Sequence, residues 1–566
     1  MPDEPADKGG TMRYVDRILL ASAAGLAWVP VAQAADLPVK KAAPIEYVRV
    51  CSAFGAGFFY IPGTDTCLRL SGRARFEYGY QASYSRAAGT TGTGPGDYSG
   101  YRGLARINLD ARTQTAYGTL RAFVRLEAAS RTGIPTIHSG TQVRIGSAFA
   151  ATGVDAYGRV QQYFNTDKAF VQFAGFTAGR ASSFYDFYAH DFEIIASSMS
   201  SDIASTNLAA YTATLGNGFS ATISMEDPSF RRSPVFSAQN ATLTSAATGP
   251  QNSSALIFAQ TNALTPVFIG YTAGGAPAGL GFADVVQRNR LPDFVGVLRY
   301  DQPWGSAQIS AAVHEINVGA FSTTAFLGTN LGTAVSQTNN RNVGRTASEY
   351  GWAVQGGLKL NLPFIAPGDT LYLQGAYGEG AGMYTGLSAY MGSYSGNVSS
   401  IQGSPFNQFI NDATLNPFTN RLELATTFTA VASLLHYWNP TLRSALFGSY
   451  GEQSFAAGAR FAQGSYFGLT GTGPGTPGTR FYALNQSLRD NYRFVVGGSL
   501  IWSPVKDLDI GLETIYTKVG MQSGRVLDLS RYPGQNAAYV NNLANPVFTT
   551  TATDAIQVRA RVQRDF

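Results

Sequence analysis

The sequence has little charge, few cysteines and few histidines. Charged residues make up 14% of the 566 residues, and the chain holds two cysteines and four histidines, at positions 138, 190, 314 and 436. No pair of these residues has the spacing of metal ligands, so we expect neither a metal site nor a cofactor. The scattered histidines also form no recognisable Ser/His/Asp-type constellation, which argues against an enzyme.

Long hydrophobic runs are missing as well. The one apolar stretch, "ILLASAAGLAWVPV", is shorter than the roughly 20 residues that a spanning helix needs, and it follows a basic patch with Arg13 and Arg17. The small residues Ala32 to Ala34 then offer a cleavage site before Ala35. We interpret residues 1–34 as a secretory signal peptide, with 1–11 as an upstream extension if translation starts at Met12. A buried N-terminal helix is the alternative.

The two cysteines, Cys51 and Cys67, follow this signal at a short spacing. Cysteines of exported proteins are usually oxidised, so we predict one disulfide between them. Closing so short a loop would contribute about 3 kcal/mol. Residues 35–67 are therefore predicted to be an N-terminal segment that carries this disulfide, ahead of a main domain at 68–566.

Glycine and aromatic residues are abundant, with 63 Gly, 35 Phe and 30 Tyr. This composition suits strands joined by polar loops. From residue 68 onward, apolar and polar side chains alternate: Leu70, Phe76 and Tyr80 share one face of an extended chain, and the arginines between them share the other. The sequence predicts an all-β protein.

Sixteen segments follow this alternating pattern. They lie near 68–81, 101–114, 119–129, 166–174, 176–181, 207–215, 218–226, 293–301, 306–315, 349–362, 370–379, 421–437, 442–451, 491–503, 508–518 and 555–566. Short turns rich in Gly, Pro, Asn and Asp alternate with long loops, as in membrane barrels with short periplasmic and long external connections. Trp304, Trp438 and Trp502 all stand beside short turns, where an interfacial aromatic belt is expected.

The last segment, "AIQVRARVQRDF", shows why the sheet should close. Its apolar face would meet lipid and its Gln/Arg face a wet interior. In lipid every backbone group must be paired, so an even number of antiparallel strands should close into a barrel. We expect this strand, ending at Phe566, to pair with the first.

The stretch "ADLPVKKAAPIEYVRVCSAFGAGFFYIPGTDTCLRLSG" closely resembles the start of mature alphaproteobacterial porins of the rhizobial type. The likeness continues in "DKAFVQFAGFTAGRASSFYDF", "PDFVGVLRYDQPWGSAQISAAVHEI", "HYWNPTLRSALFGSYG" and "VQRDF". The resemblance implies a 16-stranded antiparallel transmembrane β-barrel in the bacterial outer membrane. It also implies a homotrimer that passes small hydrophilic solutes. The loops at 227–292 and 380–420 look variable, so solute preference does not carry over.

The third external loop, about 181–206, is by this resemblance the constriction loop of the pore. It carries four acidic residues and no Lys or Arg; they are Asp186, Asp191, Glu193 and Asp202. The first three strands offer inward-facing arginines that would form an opposing basic wall, namely Arg69, Arg73, Arg75, Arg102, Arg106, Arg121 and Arg125. Charges facing each other across a narrow gap would create a transverse field. The alternative for any one of them is that it merely hydrates or pairs along the wall.

The sequence also bears on alternative functions. A substrate-specific sugar or anion channel stays open, and a secreted β-rich adhesion protein that binds polyanions is disfavoured by the lipid-facing pattern. No Lys/Arg run exceeds two residues, so we expect no nucleic acid partner. Expected partners are outer-membrane lipid and lipopolysaccharide, the barrel assembly machinery, which is thought to read the terminal aromatic, and small solutes. The "RRSP" at 231–234 is interpreted as loop surface, and ion selectivity is expected to be weak.

Overall fold

The fold is described from a computed structural model. It describes residues 49–81, 99–133, 161–194, 196–203, 205–233, 235–236, 267–271, 277–284, 287–318, 320–322, 347–387, 405, 408, 410–416, 419, 421–467, 474–528, 531 and 537–566. The described part of Val50–Phe566 forms one compact unit. The predicted signal peptide at 1–34 and the start of the N-terminal segment, 35–48, lie outside the described residues.

Sixteen antiparallel strands form the barrel. They are β1 (Cys67–Gln81), β2 (Ser99–Thr115), β3 (Gly118–Gly133), β4 (Gln161–Phe173), β5 (Phe176–Ala181), β6 (Thr206–Gly216), β7 (Phe219–Glu226), β8 (Asp293–Gln302), β9 (Gly305–Val318), β10 (Ala347–Asn361), β11 (Thr370–Glu379), β12 (Thr426–Asn439), β13 (Leu442–Ser454), β14 (Asn491–Val505), β15 (Leu508–Met521) and β16 (Ala552–Asp565). Each strand pairs with its neighbours in sequence, and β16 pairs with β1, from Arg73↔Asp565 to Gln81↔Gln557. The sheet is therefore a closed 16-stranded barrel, as predicted.

The predicted strands all exist, with one boundary that was wrong. The segment predicted at 421–437 begins its barrel pairing only at Thr426. Leu422–Leu424 instead pairs with Ala413–Leu415, which in turn pairs with Val235–Phe236 outside the barrel. Apolar and polar residues alternate in Leu422–Leu424 as they do in the barrel strand that follows, so periodicity alone could not distinguish the two segments.

The connections differ in length at the two ends of the barrel. Turns of two to eight residues join β2–β3, β4–β5, β6–β7, β8–β9, β10–β11, β12–β13 and β14–β15, whereas all other links between neighbours are longer than fifteen residues. In the β6–β7 turn, Gly218 has φ +86°, and a Cβ there would lie 2.1 Å from the carbonyl oxygen of Asp301. Glycine is needed at this turn because any side chain would collide with the neighbouring strand.

The two faces of the barrel wall differ as the alternation predicts. On β16, Ile556 and Val562 are exposed on the outside, whereas Gln557, Arg559 and Gln563 are buried on the inside. Trp304, Trp438 and Trp502 are all exposed near short turns, and the indole N–H of Trp438 donates to the Ser444 hydroxyl at 2.8 Å. The outer surface thus carries apolar side chains and the inner surface polar ones.

The described part of the N-terminal segment, from residue 49, is joined to the start of β1. Cys51 and Cys67 form the predicted disulfide. Phe58–Tyr60 pairs with β1 through Phe58↔Arg69, and a short 3-10 helix, Ser52–Phe54, lies between the cysteine and this strand.

The remaining elements are short and belong to the long connections. The strands are Val267–Tyr271, Pro277–Asp284, Ala320–Ser322, Val526–Leu527 and Thr549–Thr550, and the helices are Pro228–Phe230 (3-10), Gly382–Thr385, Ala459–Phe467, Arg480–Leu484 and Ala537–Asn541. Across the part of the chain that the structure describes, none of the helices combines the length and the apolar character needed to cross a membrane.

Candidate functional site: the lumen and its loop

The connection between β5 and β6 contacts the inward face of the barrel along most of its length. The main-chain carbonyl of Tyr185 accepts from Ser310 at 2.9 Å and from Gln355 at 3.1 Å. The backbone N–H of Tyr188 donates to the Gln374 side chain at 3.0 Å. These contacts with β9, β10 and β11 hold the first half of the loop inside the barrel.

The second half of the loop is attached to the next strands. The N–H of Ile194 donates to Glu513 on β15 at 2.7 Å, and the N–H of Met199 donates to Ser449 on β13 at 3.0 Å. Arg493 on β14 donates to the carbonyl of Ser197 at 3.2 Å. The second half of the loop is therefore fixed to β13, β14 and β15 by side chains far away in sequence.

Apolar packing adds to these hydrogen bonds. Tyr185 packs with Val295, Val297, Ala312 and Tyr384, and Met199 packs with Phe447, Val495 and Ile515. Each fully buried large side chain contributes about 1.5–3 kcal/mol. The sequence signal is the run "SSFYDFYAHDF", whose aromatic residues would be costly on an exposed loop.

Two of the four predicted acidic residues serve as internal anchors. Asp186 accepts from Arg231 at 2.7 Å and from the N–H of Ile203 at 2.9 Å. Glu193 is buried and accepts from the hydroxyl of Tyr188 at 3.0 Å and from the N–H of Ser197 at 2.8 Å. Their charges stabilise the loop itself.

The other two acidic residues lie towards open space. Asp191 is exposed and accepts from the Tyr372 hydroxyl at 3.1 Å. Asp202 faces His190, whose Nδ1 lies 3.0 Å from its carboxylate. Both, together with Glu193, line a cavity of about 600 Å³ between the loop and the strands β1–β4, β13, β15 and β16.

Five of the seven predicted arginines line the other side of the same cavity. They are Arg73, Arg75, Arg102, Arg106 and Arg125. Arg73 pairs with Asp565 at 2.6 Å, and the buried Arg102 pairs with Glu77 at 2.5 Å. Arg106 donates to Glu127, and Arg125 to Asn108. These pairs hold the guanidinium groups against the wall.

The remaining two predicted arginines lie outside the cavity lining. Arg121 makes two hydrogen bonds to Asp110, at 2.9 and 3.0 Å. Arg69 is exposed opposite Phe58, beside the N-terminal segment. The alternation of residues along a strand predicts the face on which a side chain lies, but not its height in the barrel. The sequence therefore could not distinguish Arg69 and Arg121 from the arginines that line the cavity.

The cavity is also lined by charged residues that the sequence did not predict. They are Asp167 and Lys168 on β4, Arg443 on β13, Asp509 on β15, and Arg561 and Asp565 on β16. Asp167 and Lys168 are adjacent in sequence, so a regular strand would place them on opposite faces. Both line the cavity because the register between β3 and β4 shifts at Arg125/Leu126. The basic wall therefore extends beyond the first three strands.

The remaining histidines take other places. His314 is buried in contact with Asp293 at 2.8 Å, and His436 with Asp369 at 2.7 Å, while His138 lies outside the described residues. Within the described ranges, no three His, Cys, Asp or Glu side chains are grouped as metal ligands.

The chain was compared with known proteins. A profile of the porin subfamily matches residues 36–544. Porin Omp2b from Brucella suis biovar 1 (strain 1330) is 36% identical over 218 residues, which are 38% of this chain and 54% of that protein. The putative outer membrane protein y4fJ from Sinorhizobium fredii (strain NBRC 101917 / NGR234) is 35% identical over 171 residues, 30% of this chain and 43% of that protein. The chain thus spans about half the length of the curated relatives it matches.

Solved structures with a similar outline include the outer membrane channel DcaP of Acinetobacter baumannii, at a TM-score of 0.45 and 13% identity, over 90% of this chain and 99% of that one. An anion-selective porin from Comamonas acidovorans aligns at a TM-score of 0.37 and 11% identity, over 88% and 100% of the two chains. The family assignment comes from the profile, which covers most of the described barrel. The chain belongs to the porin subfamily.

Proposed function

We propose that this outer-membrane protein forms a water-filled channel for passive diffusion of ions and small hydrophilic solutes. One observation carries the proposal: the β5–β6 loop and the arginine wall face each other across a polar cavity inside a closed barrel. Rings of charge in a narrow lumen are how channels of this kind select solutes.

The charge on the two sides of the cavity supports weak ion selectivity. Eight cationic and six acidic side chains line it, and three of the carboxylates, those of Asp191, Glu193 and Asp202, belong to the loop. Positive and negative charge therefore nearly balance across the gap, so small anions and cations should both pass. The loop, about 181–206, would be the constriction.

The assembly follows the family resemblance: we propose a homotrimer. Exposed aromatic side chains at the short turns would lie at the interface of the outer-membrane lipid, with lipopolysaccharide around the external loops. The terminal Phe566 would be the residue that the barrel assembly machinery reads.

The test is single-channel recording of the detergent-purified mature protein in a planar bilayer, with the reversal potential read under a KCl gradient. We expect large conductance steps in groups of three and a small reversal potential. Protein that resists SDS as a folded barrel yet conducts no ions would contradict the diffusion channel. Folded barrels that conduct in single steps would contradict only the trimer.

A further inference from the structure

Arg231 lies on the connection after β7, in the "RRSP" that the sequence suggested to be loop surface, and that expectation was wrong. The side chain is 1% exposed. It follows the short 3-10 helix Pro228–Phe230, whose start is capped by the Asp227 carboxylate accepting from the N–H of Ser229 at 2.9 Å. This cap turns the chain so that Arg231 enters the barrel and leaves the external surface.

The guanidinium of Arg231 binds both arms of the β5–β6 loop. Its Nη2 donates to Asp186 at 2.7 Å, and its Nη1 donates to the Ser201 hydroxyl at 2.7 Å. Ser201 also donates to Asp186 at 2.5 Å. Asp186 lies near the start of the loop and Ser201 near its end, so one side chain ties the two arms together.

Aromatic rings hold the guanidinium in place. Its carbon lies 4.3 Å from the ring centre of Tyr384 and 5.5 Å from that of Tyr185. The Tyr384 hydroxyl donates to Asp293, at the start of β8, at 2.6 Å. Arg231 is therefore fixed to the barrel wall on one side and to the loop on the other.

The charge of Arg231 is matched by its surroundings. Burial alone would lower the pKa of Arg231, but the Asp186 carboxylate, with help from Tyr384 and Glu226, outweighs burial and raises it. The group stays protonated at any accessible pH. Removing it would leave Asp186 as a buried carboxylate without its cation, which strongly disfavours the present position of the loop.

We propose that Arg231 is a positioning residue that fixes the constriction loop against the barrel wall and thereby sets the width of the channel. The inference rests on the proposed diffusion function. It predicts that loss of the Arg231–Asp186 pair loosens the loop, because its two arms are no longer tied together, while the barrel stays intact because the pairing of its strands does not involve either residue.

The test compares Arg231→Gln, Asp186→Asn, the double variant and Arg231→Lys with the wild-type protein. The readouts are single-channel conductance, open-channel current noise and the size of the largest sugar that enters liposomes. We expect both single variants to raise the noise and admit larger sugars, the double variant to add little beyond either, and Arg231→Lys to retain part of the wild-type cut-off. Heat-dependent mobility in SDS confirms that each barrel is folded.

Arg460→Gln is the matched control. Arg460 is also an arginine of the external connections, and its described partners all lie in its own connection between β13 and β14: it stacks on Tyr482 at 4.0 Å and donates to the carbonyls of Ser487 and Asn485. We expect wild-type noise and cut-off from this variant. Unchanged noise and sugar cut-off in Arg231→Gln, additive effects in the double variant, or the same changes in Arg460→Gln would each overturn the role of Arg231. A wild-type barrel that does not conduct would instead contradict the proposed function.

Discussion

Asp412 is a residue at which separate external segments meet. Its carboxylate accepts from the N–H of Ser233 at 2.7 Å and from that of Gly382 at 2.9 Å, and it is fully buried. Burial raises the pKa of Asp412 to about 6, although the nearby His314 and the two N–H donors favour the charged form. The Asp412 carboxyl therefore titrates in the mildly acidic pH range.

This pKa predicts a pH dependence of the segments around Asp412. A carboxyl whose pKa is higher in the fold than in the unfolded chain stabilises the fold at low pH, and this contribution is lost as the pH rises from about 4 to about 6. The difference between about 6 and the model-compound value near 3.8 corresponds to about 3 kcal/mol. We expect the amides of Ser233 and Gly382 to be better protected from hydrogen exchange at pH 4.5 than at pH 7.5.

Asp412→Asn is the control for this effect, because an amide does not titrate. Comparing the two proteins at each pH cancels the intrinsic pH dependence of exchange. The ratio of wild-type to variant protection should fall as the pH rises. A ratio that stays constant between pH 4.5 and 7.5 would rule out titration of Asp412 in this range.

The acidic residues of the β5–β6 loop show that the role of a single loop residue could not be predicted from the sequence. Asp186 and Asp191 look equivalent in "YDFYAHD", yet one binds a buried arginine and the other is exposed in the lumen. The difference depends on Arg231, which lies 45 positions from Asp186. No local rule connects the two residues, because the loop has no regular period.

Among the elements, the pair β1 and β16 closes the barrel. Their strands pair from Arg73↔Asp565 to Gln81↔Gln557, and the terminal Phe566 exchanges backbone hydrogen bonds with Gly72 at 2.8 and 3.1 Å. The Phe566 ring lies across Gly72: a Cβ there would be 2.4 Å from the ring and 2.7 Å from the Arg106 carbonyl oxygen. Glycine at this position lets the Phe566 ring lie over the junction between β1 and β16.

Gly72→Leu should therefore weaken the closure of the barrel. A side chain at residue 72 must displace the Phe566 ring, and overpacking of this kind costs about 1–3 kcal/mol. We expect the folded, heat-modifiable form to unfold at lower temperature or urea concentration in detergent. Gly296→Leu on β8 is the matched control, since nothing lies within 4 Å of a Cβ there. Equal loss of stability in both variants would show that the ring contact is not the cause.

Strands were more predictable than the loop because a strand obeys a period of two along its own sequence. All sixteen strands could be located in this way, and the short turns carry Gly, Pro, Asn or Asp. The rule failed where pairing is interrupted, at Leu422–Leu424 and at the register shift beside Lys168. It also gives no information on the depth of Arg69 and Arg121 in the lumen.

For the whole molecule, the feature of the fold that bears most on function is a cavity in the lumen lined by charges of both signs. The barrel strands hold arginines on β1, β2, β3 and β16, and the β5–β6 loop places Asp191 and Asp202 opposite them. The loop is bonded to strands from β9 to β15, so side chains of these strands fix its position. A polar solute in this gap would experience a transverse field in a partly dehydrated space.

The most direct test of this account asks whether Asp191 lies on the conduction pathway. Asp191→Cys is recorded in a planar bilayer while a cationic or an anionic methanethiosulfonate reagent is added, with the outward-facing Leu298→Cys, 61% exposed, as control. The account predicts stepwise changes of current at residue 191, with opposite shifts of the reversal potential for the two reagents, and none at residue 298. A conducting Asp191→Cys channel whose thiol is shown to be labelled, but whose current does not respond, would contradict it.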